Sequence, residues 1–295
     1  MGEPLLGLLP TILRTGFIQL EDVSPVAVIR YVKVLRALSP DQRIQATAQH
    51  NREALRFAFR NVNLLEKDVP PYGAWRALAE ARYGALPQAL KVRDPERVTS
   101  IDGVNLAQMA SAVGYALETA GARWCLSGAL ARCAFGEPRP VADLEFLATV
   151  DKDSLPALTK QLGESFWSSQ GQLEEAAAER KAGILYHLAT LTQIRLVPAG
   201  GEFLDSVLSR RIRVEGSASG RLWVQSREDS VLQGLVAWRD AEEGEELHWR
   251  DVALLLAAQP EMDAAYVDAW AQKLDVVDTL REARAQAGAE AGGEA

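Results

Sequence analysis

The chain has 295 residues, 48% hydrophobic and 24% charged, with a formal net charge of −8, enough apolar material for one large folded unit or two ordinary ones. No apolar run reaches the length of a bilayer-spanning helix, the start lacks the basic region of a signal peptide, and two cysteines and three histidines without ligand spacing argue against a disulfide framework or a zinc site, so a cytoplasmic protein without a membrane role is expected. Residues 1–100 carry 14 Lys and Arg against 10 Asp and Glu, and residues 101–295 the remaining 18 against 30, an asymmetry that hints at different partners for the two parts.

The elements follow in chain order. Ser24-Pro25 and Ser39-Pro40-Asp41 are helix starts, predicting helices to about Leu38 and Val62. A third runs over 74–83 after Pro70-Pro71, residues 91–99 read as a linker, and 105–120 is helical with Leu106, Met109, Val113 and Leu117 as its apolar stripe. Then the pattern changes. Trp124–Leu126 is a short strand, Ser127-Gly128 turns it into a helix over 129–135, and Asp143–Val150 is a strand with Leu144 and Phe146 on one face and Asp143 and Glu145 on the other. A helix opens at Ser154-Leu155-Pro156. Strands over 184–188 and 193–197 and a hairpin of 211–214 with 221–225 follow. The capping box Ser226-Arg-Glu-Asp229 begins a run of helices over about 226–239, 247–258, 263–274 and 276–285, and the last ten residues read as disordered.

The order of these features from Gly121 onward resembles the nucleotidyltransferases of the DNA polymerase β superfamily, and among them the small bacterial abortive-infection and toxin-type members. Trp124-Cys-Leu-Ser-Gly-Ala-Leu-Ala131 is similar to the opening strand-turn-helix, Gly136-x-x-Arg139 with Asp143-Leu-Glu145 to the Gly-x-x-Arg-x-Thr-x-Asp-x-Asp stretch, and Ser226-Arg-Glu-Asp229 with Trp249-Arg-Asp251 to the helical tail. The resemblance covers somewhat more than half of the chain and implies a nucleotidyltransferase-like mixed β-sheet with flanking helices over 101–225 and a C-terminal helical subdomain over 226–285. With the N-terminal α-helical domain read over residues 1–100, which resembles no known family, and a tail over 286–295, the fold expected is α+β. The resemblance also implies roles. In this chemistry two Mg²⁺ ions, held by carboxylates, stabilise the attacking and leaving oxygens of an in-line displacement. Asp143 and Glu145 would be the catalytic metal ligands, Ser127 and Gly128 would cradle the triphosphate at a helix start, and Arg139 would steady a phosphate.

The sequence departs from the family pattern at several places. Glu145 is one methylene longer than the usual aspartate, Val141 stands at the threonine position, Phe135 at a frequent histidine, and Gly234 at a frequent lysine. Arg195 stands where the third carboxylate belongs; a cation there would repel a metal ion by roughly 4 kcal/mol per unit-charge pair at about 4 Å. Three readings of Asp143 and Glu145 stay open: metal ligands of an active Mg²⁺-dependent transferase, a relic neutralised by Arg195 or solvated, or an ordinary strand edge. Glu202 or Asp205 are substitute third ligands under the first. The function expected is binding of nucleotide or nucleic acid with transfer weak or lost. The alternative is a nucleic-acid-binding or assembly protein, with a protein partner or homo-oligomer, acting through the N-terminal arginine face. That face comprises Arg43, Arg52, Arg56 and Arg60, with Arg30, Lys33 and Arg36 on the preceding helix and Tyr31, Phe57 and Phe59 nearby in sequence. Glu53 interrupts it, and Phe57 and Phe59 read as core.

Overall fold

The computed structural model describes residues 25–61, 63, 65, 69–90, 100–169, 171–216, 220–241, 246–259 and 261–290. Helices α1 (Pro25–Ala37), α2 (Pro40–Asn61) and α3 (Tyr72–Tyr83) open the described chain. Ser39 and Gln42 cap the start of α2 reciprocally: the Ser39 N–H donates to Gln42 Oε1 at 2.8 Å and the Gln42 N–H to Ser39 Oγ at 3.3 Å. The buried stripe of α2 runs Ile44, Ala48, Leu55, Phe59 at helical spacing. Asn105 caps α4 (Leu106–Thr119), whose Met109, Val113 and Leu117 are buried as the sequence stripe requires.

Seven strands follow: β1 (Trp124–Ser127), β2 (Leu144–Ala148), β3 (Phe166–Trp167), β4 (Gly183–His187), β5 (Thr192–Pro198), β6 (Ile212–Gly216) and β7 (Gly220–Val224). They make one mixed sheet in the order β3-β4-β5-β2-β1-β7-β6. The β1/β2 pair is antiparallel, whereas β2/β5 and β1/β7 are parallel. Helices α5 (Gly128–Phe135), α6 (Leu155–Leu162), α7 (Gln172–Glu179) and α8 (Glu202–Arg210) connect the strands, and α9 (Arg227–Asp240), α10 (Glu246–Ala258), α11 (Ala264–Lys273) and α12 (Val277–Glu290) close the chain. The fold is therefore α+β with a seven-stranded mixed sheet and twelve α-helices among the described residues.

Alternation splits the strands between two faces. Trp124, Leu126, Leu144, Phe146, Ile194 and Leu222 face the main core with α4, α5, α6 and α9. Cys125 and Leu147 face the other way, against Val207 and Leu208 of α8. A separate cluster joins α2 and α3 to Tyr186 and Leu191 of the β4–β5 hairpin, and a small one joins Val32 of α1 to Leu254, Ala257 and Ala287.

The predicted helices and strands fall close to these bounds, with three exceptions. Strand β3, α7 and α8 were not expected; β3 has two residues, too few for a period, and α7 begins at a left-handed glycine, Gly171, without a side-chain cap. At the other end α12 continues to Glu290 through residues expected to be disordered, because Ala287 is buried against Val32 and Leu254. The expected linker over 91–99, the first helix cap at Ser24 and the end of the tail over 291–295 lie outside the described residues.

Helix α4 lies so close to the sheet that a Cβ on Gly114 would sit 2.3 Å from Trp124 Cη2. The indole is buried within the core and has no room to retreat. Gly114→Ala should therefore cost about 1–3 kcal/mol by overpacking, seen as a lower urea midpoint at unchanged m-value.

Candidate functional site

The strand register builds a row of side chains across the middle of the sheet. Ser127, the last residue of β1, is opposite Glu145 on β2, and Glu145 is opposite Arg195 on β5. All three point away from the main core, toward the face that carries α8 further along the strands. Ser127 Oγ donates to Glu145 Oε1 at 2.9 Å. Arg195 Nη1 stands 3.9 Å from Glu145 Oε2.

Gly128 completes the turn. Its φ of 62° is left-handed, and a Cβ there would meet Glu145 Cβ at 3.0 Å and Oε1 at 3.3 Å, so both the conformation and the close approach require glycine. Helix α5 then starts without a side-chain cap, because the Ser127 hydroxyl is spent on Glu145. The Glu145 carboxylate lies against this turn and gives the helix N-terminus its negative charge from within the chain.

Asp143 sits on the stretch leading into β2. Burial pushes its carboxyl above the usual range, the neighbouring Glu145 charge adds to the rise, and Arg195 opposes it. The stretch itself is held from the N-terminal helices. The side-chain amide of Asn51 on α2 pairs with the backbone of Val141 as a strand would: Nδ2 donates to the Val141 carbonyl at 3.0 Å, and the Val141 N–H donates to Oδ1 at 2.7 Å. His50 Nδ1–H donates to the Pro138 carbonyl at 3.0 Å, and the Tyr83 hydroxyl of α3 donates to that of Ala142.

Do these residues fit a metal? Among the described residues no three His, Cys, Asp or Glu side chains converge. The parallel register puts a guanidinium at the one strand position facing Glu145 from β5. Glu202 and Asp205 are on α8, and Glu202 pairs with Lys273 at 2.5 Å; neither joins Asp143 and Glu145 in a three-carboxylate group among the described residues. A two-Mg²⁺ site does not fit this arrangement. The Arg195–Glu145 contact is itself weak, since the arginine is 45% exposed and such pairs contribute at most about 1 kcal/mol. The lack of a third carboxylate among the described residues and the cation opposite Glu145 count against a divalent ion here more than the strength of the ion pair does.

Arg139, expected beside phosphate, is buried elsewhere. Its Nε donates to Asp251 Oδ1 at 2.7 Å, its Nη2 to Oδ2 at 2.5 Å and its Nη1 to the Pro140 carbonyl at 2.9 Å. Arg132 of α5 adds a bond from Nε to the same carboxylate at 2.9 Å. Two guanidiniums hold the buried Asp251 carboxyl down at about 2 against the effect of burial. Gly234, at the lysine position, packs under α10, where a Cβ would be 2.5 Å from Val252 Cγ2; a lysine has no space there.

The expected arginine face needs correction. Arg43 is 1% exposed and donates to the carbonyls of Phe135 and Leu35, so it belongs to the inner side of α2. Arg56 pairs with Asp102, Arg52 is half-buried and Arg60 exposed. On α1, Arg36 donates to the Ala257 carbonyl, and Tyr31 to Glu137 at 3.0 Å. Phe59 is core, as expected, but Phe57 is 54% exposed. Sequence reasoning missed Asn51, Tyr83 and the role of Asp251. A signal for Asn51 was present: it is a polar residue inside the apolar stripe of α2.

No family model and no curated protein matches this sequence. Among solved structures, one described as an antigenic nucleotidyltransferase-like protein from Paracoccidioides brasiliensis is similar over 61% of this chain and 92% of its own, at 17% identity and a TM-score of 0.38. No helix among the described residues is long and apolar enough to cross a membrane.

Two outcomes follow from the charges. Asp251→Ala strands two buried guanidiniums and should destabilise the protein by about 3–5 kcal/mol in denaturant titrations. Asp143 has a folded-state pKa above its unfolded one, so its ionisation opposes folding as pH rises through that value. Asp143→Asn should therefore raise Tm at pH 7, and the gain should vanish in acid, where the wild-type carboxyl is protonated.

Proposed function

We propose that the chain is a nucleotidyltransferase-fold protein of the cytoplasm that binds nucleotide or nucleic acid, with metal-dependent transfer weak or lost. The strand-turn-helix at Ser127-Gly128, the Asp143-x-Glu145 pair and the helical tail support the fold reading. One observation carries the loss of transfer: Arg195 lies directly across the parallel β2/β5 pair from Glu145. In a metal-dependent transferase that position adds negative charge to gather divalent cations; here it adds a positive one. Any phosphate that reaches the turn meets Arg195 as its cation and competes with Glu145 for the start of α5. Binding of that kind is metal-independent and modest.

The test is incubation of the protein with α-labelled nucleoside triphosphates, Mg²⁺ or Mn²⁺ and a pool of RNA, DNA and protein acceptors, with Asp143→Ala/Glu145→Ala as control. No transfer of label is expected from either protein. Label moved by the wild type alone would overturn the proposal and identify the acceptor. Arg195→Asp supplies a readout apart from activity: calorimetry with Mn²⁺ should show no site in the wild type and a gained site in the variant. A wild-type Mn²⁺ site abolished by the Asp143/Glu145 double substitution would also sink the reading.

A further inference from the structure

The β6–β7 hairpin lies at the outer edge of the sheet and has two unlike faces. Val214, Leu222 and Val224 are buried in the core. Arg213, Glu215, Arg221 and Trp223 alternate with them on the other face, with Arg213 opposite Trp223 and Glu215 opposite Arg221. Arg211, immediately before β6, places its guanidinium 4.6 Å from the centre of the Trp223 ring, and Arg213 lies 5.8 Å from the same ring. Because β7 runs parallel to β1 with Leu126 opposite Val224, the exposed Arg123 just before β1 falls beside Arg221. Its charge acts on Arg211, whose guanidinium is disfavoured first by burial and then by this neighbour.

Positive charge is concentrated here in a chain of net charge −8. Among the described residues, Glu215 is the carboxylate in ion-pair contact with the patch, shared between Arg213 at 2.8 Å and Arg221 at 4.0 Å. Glu118 reaches Arg211 only electrostatically. Asp41 approaches Gly216, but from the inward side, where α2 packs. The Nε of Arg211 is buried without a hydrogen-bond partner. Arg211 and Arg213 lie over the Trp223 indole, and Arg221 and Arg123 stand beside them on the same face by register, an excess of positive charge that a polyanion would balance.

We propose that this face of the hairpin binds the phosphate backbone of single-stranded nucleic acid. Alternate residues of a strand stand about 7 Å apart, so Arg211 and Arg213 can engage neighbouring phosphates of an extended chain. Arg213 and Arg221, with side chains 42% and 77% exposed, offer forks to phosphate oxygens. The partly buried Trp223 ring and the guanidiniums over it are the kinds of group that unpaired bases stack upon. An acidic peptide would satisfy the charge but leave this stacking surface unused. The patch is independent of Ser127, Glu145 and Arg195, so it stands whatever becomes of the transferase reading.

The experiment is fluorescence anisotropy of a labelled oligothymidylate of about 12 nucleotides, a length within the range of single-strand sites, titrated with the full chain at several salt concentrations. Arg213→Gln/Arg221→Gln should weaken binding at least ten-fold and lower the slope of log K against log salt by about 1.4, two single-strand phosphate contacts at about 0.7 each. Lys181→Gln/Arg281→Gln removes the same charge from two exposed positions outside the hairpin, before β4 and on α12, and should change neither quantity. Ultraviolet cross-linking of the bound oligonucleotide to the unaltered protein should label the peptide that contains Trp223. The proposal is overturned if the wild type does not bind, if both double variants weaken binding equally, if the cross-link maps elsewhere, or if polyglutamate displaces the oligonucleotide as well as an unlabelled strand does.

Discussion

Asp251 is the point on which the arrangement around the candidate site depends. Its carboxylate, 4% exposed, receives Arg132 from α5 and Arg139 from the stretch that leads to Asp143. A lone buried carboxylate would be costly; here two guanidiniums compensate it, and each of them would in turn be stranded without it. Removal of either side costs more than the net contribution of the group when intact. The three residues also link three parts of the chain that share no secondary structure: the helix after the Ser127 turn, the loop before β2 and the C-terminal helix α10. The loop is held from its other side by Asn51 and Tyr83, so Asp143 is fixed between the N-terminal helices and the C-terminal ones.

Within that frame the sheet exchanges one charge for another. The register that brings Ser127, Glu145 and position 195 into line is imposed by hydrophobic alternation: Leu144, Phe146, Ile194 and Leu196 must all face the core, which fixes the pairing of β2 with β5. The backbone therefore does not depend on what occupies position 195. A carboxylate and an arginine are equally compatible with the strand, and the chemistry of the site turns on this exposed side chain while the fold does not.

Much of this could be read in advance, and the reasons differ by feature. The helices after Ser39, Asn105 and Ser226 announced themselves because caps and apolar stripes are local signals, and β2 showed because its alternation is clean. Arg195 was singled out through the family resemblance alone; the strand register sets it across from Glu145. The partners of Arg139 and Arg43 were invisible for a physical reason. An arginine that binds phosphate and one that satisfies a buried aspartate 112 residues away look alike in one dimension. Arg43 shares the four-residue rhythm of its neighbours only loosely, and the helix turns it inward onto the carbonyls of Phe135 and Leu35.

The parallel pairing of β1 with β7 has a consequence for how the chain comes together. β1 finishes at Ser127, but the strand that covers its outer side begins at Gly220. During synthesis, β1 can pair with β2 early, while its other edge stays open until almost a hundred further residues have emerged. Contacts of such sequence separation form late because loop closure precedes their reward. An open edge of buried residues (Trp124, Cys125 and Leu126 are all within 2% of full burial) is a template for pairing with another chain. The hairpin that carries the arginine cluster is thus also the cover over an edge of buried residues, and a chain cut short before it lacks that cover.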